Sequence, residues 1–182
     1  MKHLYSIMNL DTAHIDEICE DIKYQVKNGV ANCALFKMTL VPEGTPPADK
    51  AAVYCEQYKK FKEKLDADNI PNGVLVQATM GHGWVLGAKF PYQHLVGLSG
   101  QDTPNSVCPY DEGFREYLYS AFRTIALCKP GHIMVDDDFR LLGRPEGGCA
   151  CPLHLKRFAE LSGEAVDKKE LLDIINAGGE KG

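Results

Sequence analysis

The sequence predicts an α/β fold of parallel strands, each followed by a helix. Three observations carry this expectation. Short apolar runs alternate with stretches whose apolar residues recur every three or four positions. Four such pairs follow one another along 182 residues. Each helical stretch is also bounded by residues that start or stop helices.

The first strand falls within Lys2 to Leu10, where Leu4, Ile7 and Leu10 carry the apolar pattern, and Asp11-Thr12 then signals a helix start. From Ile15 the positions Ile15, Ile18, Ile22 and Val26 recur at helical spacing until Asn28-Gly29 closes the pattern. Cys33 to Val41 is the second strand. After Asp49 a helix carries Tyr54, Tyr58, Phe61 and Leu65 on one stripe and stops near Asn69-Ile70-Pro71. Gly73 to Met80 is the third strand, followed by a long glycine-containing segment from Gly81 to Asn105. Asp111 opens a third helix with Phe114, Leu118, Ala121 and Ile125 in register, ended around Lys129-Pro130-Gly131. His132 to Val135 is the fourth strand and Pro152 to Leu161 the fourth helix. A last amphipathic stretch runs from Lys168 to Asn176.

Four strand-helix units in a single domain over residues 1–182 imply a parallel sheet with right-handed crossovers. Such a sheet needs cover on both faces or closure into a barrel. The length falls short of the roughly 250 residues typical of an eight-stranded barrel. The expectation is therefore half of a TIM-type barrel, completed by a second copy or by a missing C-terminal half; the alternative is a small open α/β sheet. In both, functional residues collect at the C-terminal ends of the strands.

A net charge of -5 with interspersed signs lacks the basic footprint of a nucleic-acid binder. No run is long enough to span a bilayer, and Met-Lys-His-Leu-Tyr-Ser lacks a signal-peptide core, so neither a membrane nor an export route is expected and the cytoplasm is the default. Seven cysteines, an odd number, argue against a complete disulfide framework. Cys19, Cys33, Cys55 and Cys128 fall in or beside predicted elements and read as buried thiols.

The most informative stretch runs from His132 to His154. The fourth strand delivers Asp136, Asp137 and Asp138. Strand alternation places Asp136 and Asp138 on one face and Asp137 on the other. Aspartates in such places also cap loops, and Arg140 offers a structural counter-charge. Three consecutive carboxylates nonetheless repel unless a cation, an arginine or a proton relieves them, which points to a general acid or a cation ligand. Cys149, Cys151 and His154 then supply three soft or borderline ligands just before a helix, whereas a tetrahedral zinc wants four. Cys108, in the loop ahead of the third helix, is the best fourth.

A strand ending in hydrophobic-Asp-x-acid-aromatic, a Cys-x-Cys-x-x-ligand loop and an upstream cysteine before an aromatic-rich helix together resemble glycoside hydrolase family 42, the β-galactosidase-like barrels. The resemblance covers the order of elements along the chain, with specific motifs only around Cys108 and residues 132–158. It implies a hydrolase acting on a carbohydrate substrate, with a structural zinc. Val135-Asp136-Asp137-Asp138-Phe139 matches the family's fourth-strand Asp-Asn-Glu-aromatic, so Asp138 takes the acid/base position and Asp137 that of the asparagine. Cys108, Cys149 and Cys151 match three zinc ligands, and His154 replaces a fourth cysteine. Aspartate at 138 is one methylene shorter than the family's glutamate. The family's nucleophile lies on a seventh strand, which these four units do not contain, so this chain holds at most half of a site whose two carboxyls stand about 5 Å apart.

Met80-Gly81-His82-Gly83-Trp84 follows the third strand, and Trp84, the only tryptophan, together with His82 is an expected substrate contact beside Asp137; a loop anchor is the alternative. Lys37, midway along the second strand, is either an inward charge partner for an aspartate or an edge residue. Glu146 reads as solvated. Two rival functions remain open: a magnesium-dependent α/β enzyme using the Asp triplet, and a non-catalytic barrel half that dimerises or binds carbohydrate.

Overall fold

The computed structural model describes residues 4–43, 49–80, 90–136 and 148–178. In chain order its elements are β1 (Tyr5–Met8), a 3-10 turn (Thr12–His14), α1 (Ile15–Lys27), β2 (Cys33–Thr39), α2 (Lys50–Ala67), β3 (Asn72–Gln77), β4 (His94–Val96), β5 (Asp102–Val107), α3 (Glu112–Leu127), β6 (Ile133–Val135), α4 (Pro152–Ser162) and α5 (Lys168–Ala177). They group into two compact units. One comprises Met1–Val41, Asp49–Thr79 and Leu118–Asp138; the other comprises Pro42–Ala48, Met80–Tyr117 and Phe139–Gly182. No helix among the described residues is long and apolar enough to cross a membrane.

The first unit is a four-stranded parallel sheet in the order β1-β2-β3-β6. Strand neighbours thus follow the order of the chain, and with right-handed crossovers this places successive helices on one face. The core agrees: Cys19 and Ile22 of α1, Tyr58, Phe61 and Leu65 of α2, and Ala121 and Ile125 of α3 form one cluster with Phe36, Met38, Val74 and Val76 of the sheet. Phe36 packs its ring against Phe61 at 4.7 Å and Tyr58 at 5.9 Å. Full burial of each such ring contributes roughly 1.5–3 kcal/mol. The one polar tip among them is satisfied, because the Tyr58 hydroxyl donates to Asn72 Oδ1 at 2.6 Å and the Asn72 amide donates to Asp66 Oδ1 and the Ile70 carbonyl.

Alternation sends Cys33, Leu35 and Leu75 to the opposite face, where Tyr5 and Met134 pack against them. Ile7, paired with Leu35, is 57% exposed on that face. Among the described residues β1 and β6 are the sheet's two edges. Ile133 and Val135 of β6 stay about two-fifths exposed although their partners Val74 and Val76 are fully buried.

β3 and β6 approach closely because glycine permits it. A Cβ on Gly73 would collide with the backbone carbonyl of His132, and one on Gly131 would meet the Asn72 carbonyl at 2.8 Å. Gly73→Ala is expected to cost about 1–3 kcal/mol by this overpacking, a fall in melting temperature of roughly 3–10 °C. An unchanged melting temperature would show that β6 has room to move away.

In the second unit β4 and β5 form an antiparallel hairpin with a register shift between His94 and Leu95. Its turn is closed by Gly97 N–H to the Gln101 carbonyl, with Gly100 at φ 92°. The described part of the glycine-containing segment expected from Gly81 to Asn105 thus holds a hairpin that the sequence reading did not assign. The strands escape recognition because β4 has three residues and β5 contains Pro104, which removes a ladder donor. Elsewhere the strands are trimmed: β1 ends at Met8 rather than Leu10, β2 at Thr39 rather than Val41, and β3 at Gln77 rather than Met80.

Candidate metal centre and strand-end carboxylate

Cys108 is fixed where the hairpin hands over to α3. Its N–H donates to the Gln93 carbonyl at 2.7 Å, and its own carbonyl accepts from Asp111 N–H. Asp111 then starts α3, one carboxylate oxygen accepting from Phe114 N–H and the other from Gln93 N–H, both at 2.9 Å. The second group of ligands is tied to β4: Ala150 N–H donates to the Val96 carbonyl at 2.7 Å, and Val96 N–H points at Cys149 Sγ at 3.4 Å. Cys151 precedes α4 as its N-cap with Pro152 in the first turn. His154 lies three residues on, one helical turn above Cys151, so both side chains look the same way.

The ligand atoms of Cys108, Cys149, Cys151 and His154 all lie within 4.8 Å of one another. Cys108 Sγ is 3.2 Å and Cys151 Sγ 3.4 Å from His154 Nδ1, and the two sulfurs are 3.5 Å apart. A tetrahedron with metal–sulfur bonds near 2.3 Å has sulfur–sulfur edges of roughly 3.8 Å, so this spacing suits a metal ion at the centre. Cys108 and Cys151 are fully buried, Cys149 and His154 half-buried. The N–H groups of Val96 and Tyr110 aim at Cys149 and Cys108, each at 3.4 Å, the backbone support that stabilises thiolates. Tyr110 sets its ring edge-on against the His154 imidazole at 4.6 Å, fixing the ring plane.

The electrostatics match this arrangement. Hydrogen bonds from the Cys108 and Cys151 thiols and from the His154 ring hold Cys149 well below the usual thiol range, as a thiolate. Cys108 is pushed up by its Cys149 and Cys151 neighbours. The thiolate beside it raises His154 to about 9. The four groups thus share protons among themselves, protons that a bound cation would displace, and four protein ligands leave no open position for substrate.

At the C-terminal end of β6, Asp136 donates its N–H to the Val76 carbonyl at 3.0 Å, and its carboxylate accepts from Gln77 Nε2 at 2.6 Å. Sequence reasoning missed Gln77, although alternation puts it on the same face as Leu75; it likewise missed Tyr110 as the support of His154. Lys37 is half-buried on β2, two residues beyond Leu35 and so on that same face. Ala78, directly after β3, takes the left-handed backbone region at φ 57°, a strain of roughly 1–2 kcal/mol for a residue with a Cβ. Asp137, Asp138, Arg140 and Glu146, together with His82 and Trp84, lie outside the described residues.

No protein-family model matches the chain, and no curated protein and no solved structure is similar to it.

Proposed function

We propose that the four-ligand centre holds a structural zinc ion and that the parallel sheet belongs to a barrel-type glycoside hydrolase. The zinc reading rests on one observation, the convergence of three cysteine sulfurs and one imidazole nitrogen within 4.8 Å. Thiolates with an imidazole favour zinc over hard cations such as magnesium, and the closed ligand set assigns it to joining the Cys108 turn to the Cys149–His154 segment rather than to chemistry.

The hydrolase reading is supported by strand order. A parallel sheet whose neighbours follow chain order, with its helices in one cluster, has the arrangement of consecutive strands in a (β/α) barrel. The Gln77-held Asp136 and the strained Ala78 both sit at strand C-termini, where such barrels place their chemistry. Asp138 is the proposed acid/base, Asp137, His82 and Trp84 contact a carbohydrate, and the nucleophile comes from strands beyond these four. Removing the carboxyl of Asp138 in the assembled barrel, and comparing substrates of different leaving-group quality, tests this assignment.

On this reading both sheet edges meet further barrel strands, from a second copy when residues 1–182 are isolated. Light scattering is expected to give a dimer at micromolar concentration, whereas a stable monomer would favour an open sheet that needs no completion.

A further inference from the structure

Of the four cysteines outside the metal centre, three are buried as expected: Cys19 at 2%, Cys33 at 1% and Cys55 at 2% exposure. Cys128 is only partly buried, packed at the edge of the core just past the end of α3. It also does not stand alone. Cys55 Sγ on α2 donates to the Thr124 carbonyl at 3.7 Å, and Cys128 Sγ donates to the same carbonyl at 3.6 Å. Two thiols from different elements therefore converge on one acceptor carbonyl. The acceptor is the last-turn carbonyl of a helix, which both thiols relinquish without unfolding it.

We propose that Cys55 and Cys128 form a reversible disulfide that staples α2 to the end of α3, driven by a low-molecular-weight disulfide such as oxidised glutathione. The chemistry balances. The partly buried Cys128 attacks one sulfur of the small disulfide as its thiolate, forming a mixed disulfide and releasing one thiolate. Cys55 then attacks the Cys128 sulfur, the protein disulfide forms, and the second small thiol leaves; both protein thiols lose their protons and the small disulfide takes up the two electrons. The order of attack follows from access: Cys55 is 2% exposed and burial pushes its thiol up, whereas Cys128 is only partly buried. The bridge closes a loop of roughly 70 residues, long enough for a clear effect on stability.

The test treats the zinc-loaded protein with oxidised glutathione and maps disulfides by peptide mass spectrometry. The expected product links the Cys55 and Cys128 peptides, with a melting temperature higher by about 5 °C or more that returns to its starting value on reduction. Cys55→Ala is expected to stop at the mixed disulfide on Cys128, and Cys128→Ser, altering a partly buried side chain at the core's edge, to leave Cys55 unmodified. A wild-type protein that also stops at the mixed disulfide, or a Cys128→Ser protein in which Cys55 reacts equally fast, overturns the pairing. Linkages confined to Cys108, Cys149 and Cys151 overturn it as well.

Discussion

Replacing Cys151 by serine is expected to abolish stoichiometric zinc and to loosen the second unit. Cys151 is fully buried, 3.5 Å from Cys108 Sγ and 3.4 Å from His154 Nδ1, so its loss removes a ligand from the middle of the cluster. A serine hydroxyl does not ionise at neutral pH and is a poor zinc ligand. Structural zinc in small domains contributes apparent binding energies on the order of 10 kcal/mol, comparable with the entire stability of an ordinary domain. Even partial loss therefore outweighs most single substitutions. Elemental analysis should fall from one zinc per chain to a small fraction. Limited proteolysis should speed up near Cys149–His154, whose main hold on the hairpin would be the Ala150–Val96 hydrogen bond. Cys128→Ser serves as the control, leaving zinc content unchanged. A Cys151→Ser protein that keeps one zinc and resists chelators like the wild type would remove Cys151 from the ligand set.

On the proposed hydrolase reading, replacing Asp138 by alanine in the complete enzyme is expected to separate substrates by leaving group. A general acid contributes about 10²–10⁴-fold where the departing oxygen must be protonated. An activated leaving group, such as a nitrophenolate, departs without that proton. Glycosides with poor leaving groups should lose turnover by that factor, while activated aryl glycosides lose much less in the glycosylation step. Asp136 is held at the strand end by the Gln77 amide, which donates to one of its oxygens at 2.6 Å. Equal losses on both substrate types would take Asp138 out of the acid role, and undiminished activity would take it out of the mechanism.

What the sequence made legible follows from how local each signal is. α1 and α2 carry apolar residues at helical spacing and end at turn signals, so α1 begins at the expected Ile15 and α2 directly after the expected Asp49. The metal ligands were legible for a related reason: Cys149, Cys151 and His154 lie within six positions, and Cys108 stood in the loop expected beside them. The β4–β5 hairpin was not legible, since a three-residue strand and a proline-containing partner carry no reliable alternation. Cys128 was expected buried and packs against the core, but its position past Leu127 at the helix end leaves it only partly buried. Gln77 was visible as an alternating position, but its partner Asp136 depends on the parallel register of β3 and β6, which no local pattern encodes.

The central claim is the chemistry of the four-ligand centre, and X-ray absorption at the zinc edge of the purified protein tests it most directly. The expected result is one zinc per chain with three sulfur neighbours near 2.3 Å, one nitrogen near 2.0–2.1 Å and no further oxygen. A site without metal, or a zinc shell made of oxygen and nitrogen with an open water position, would contradict it.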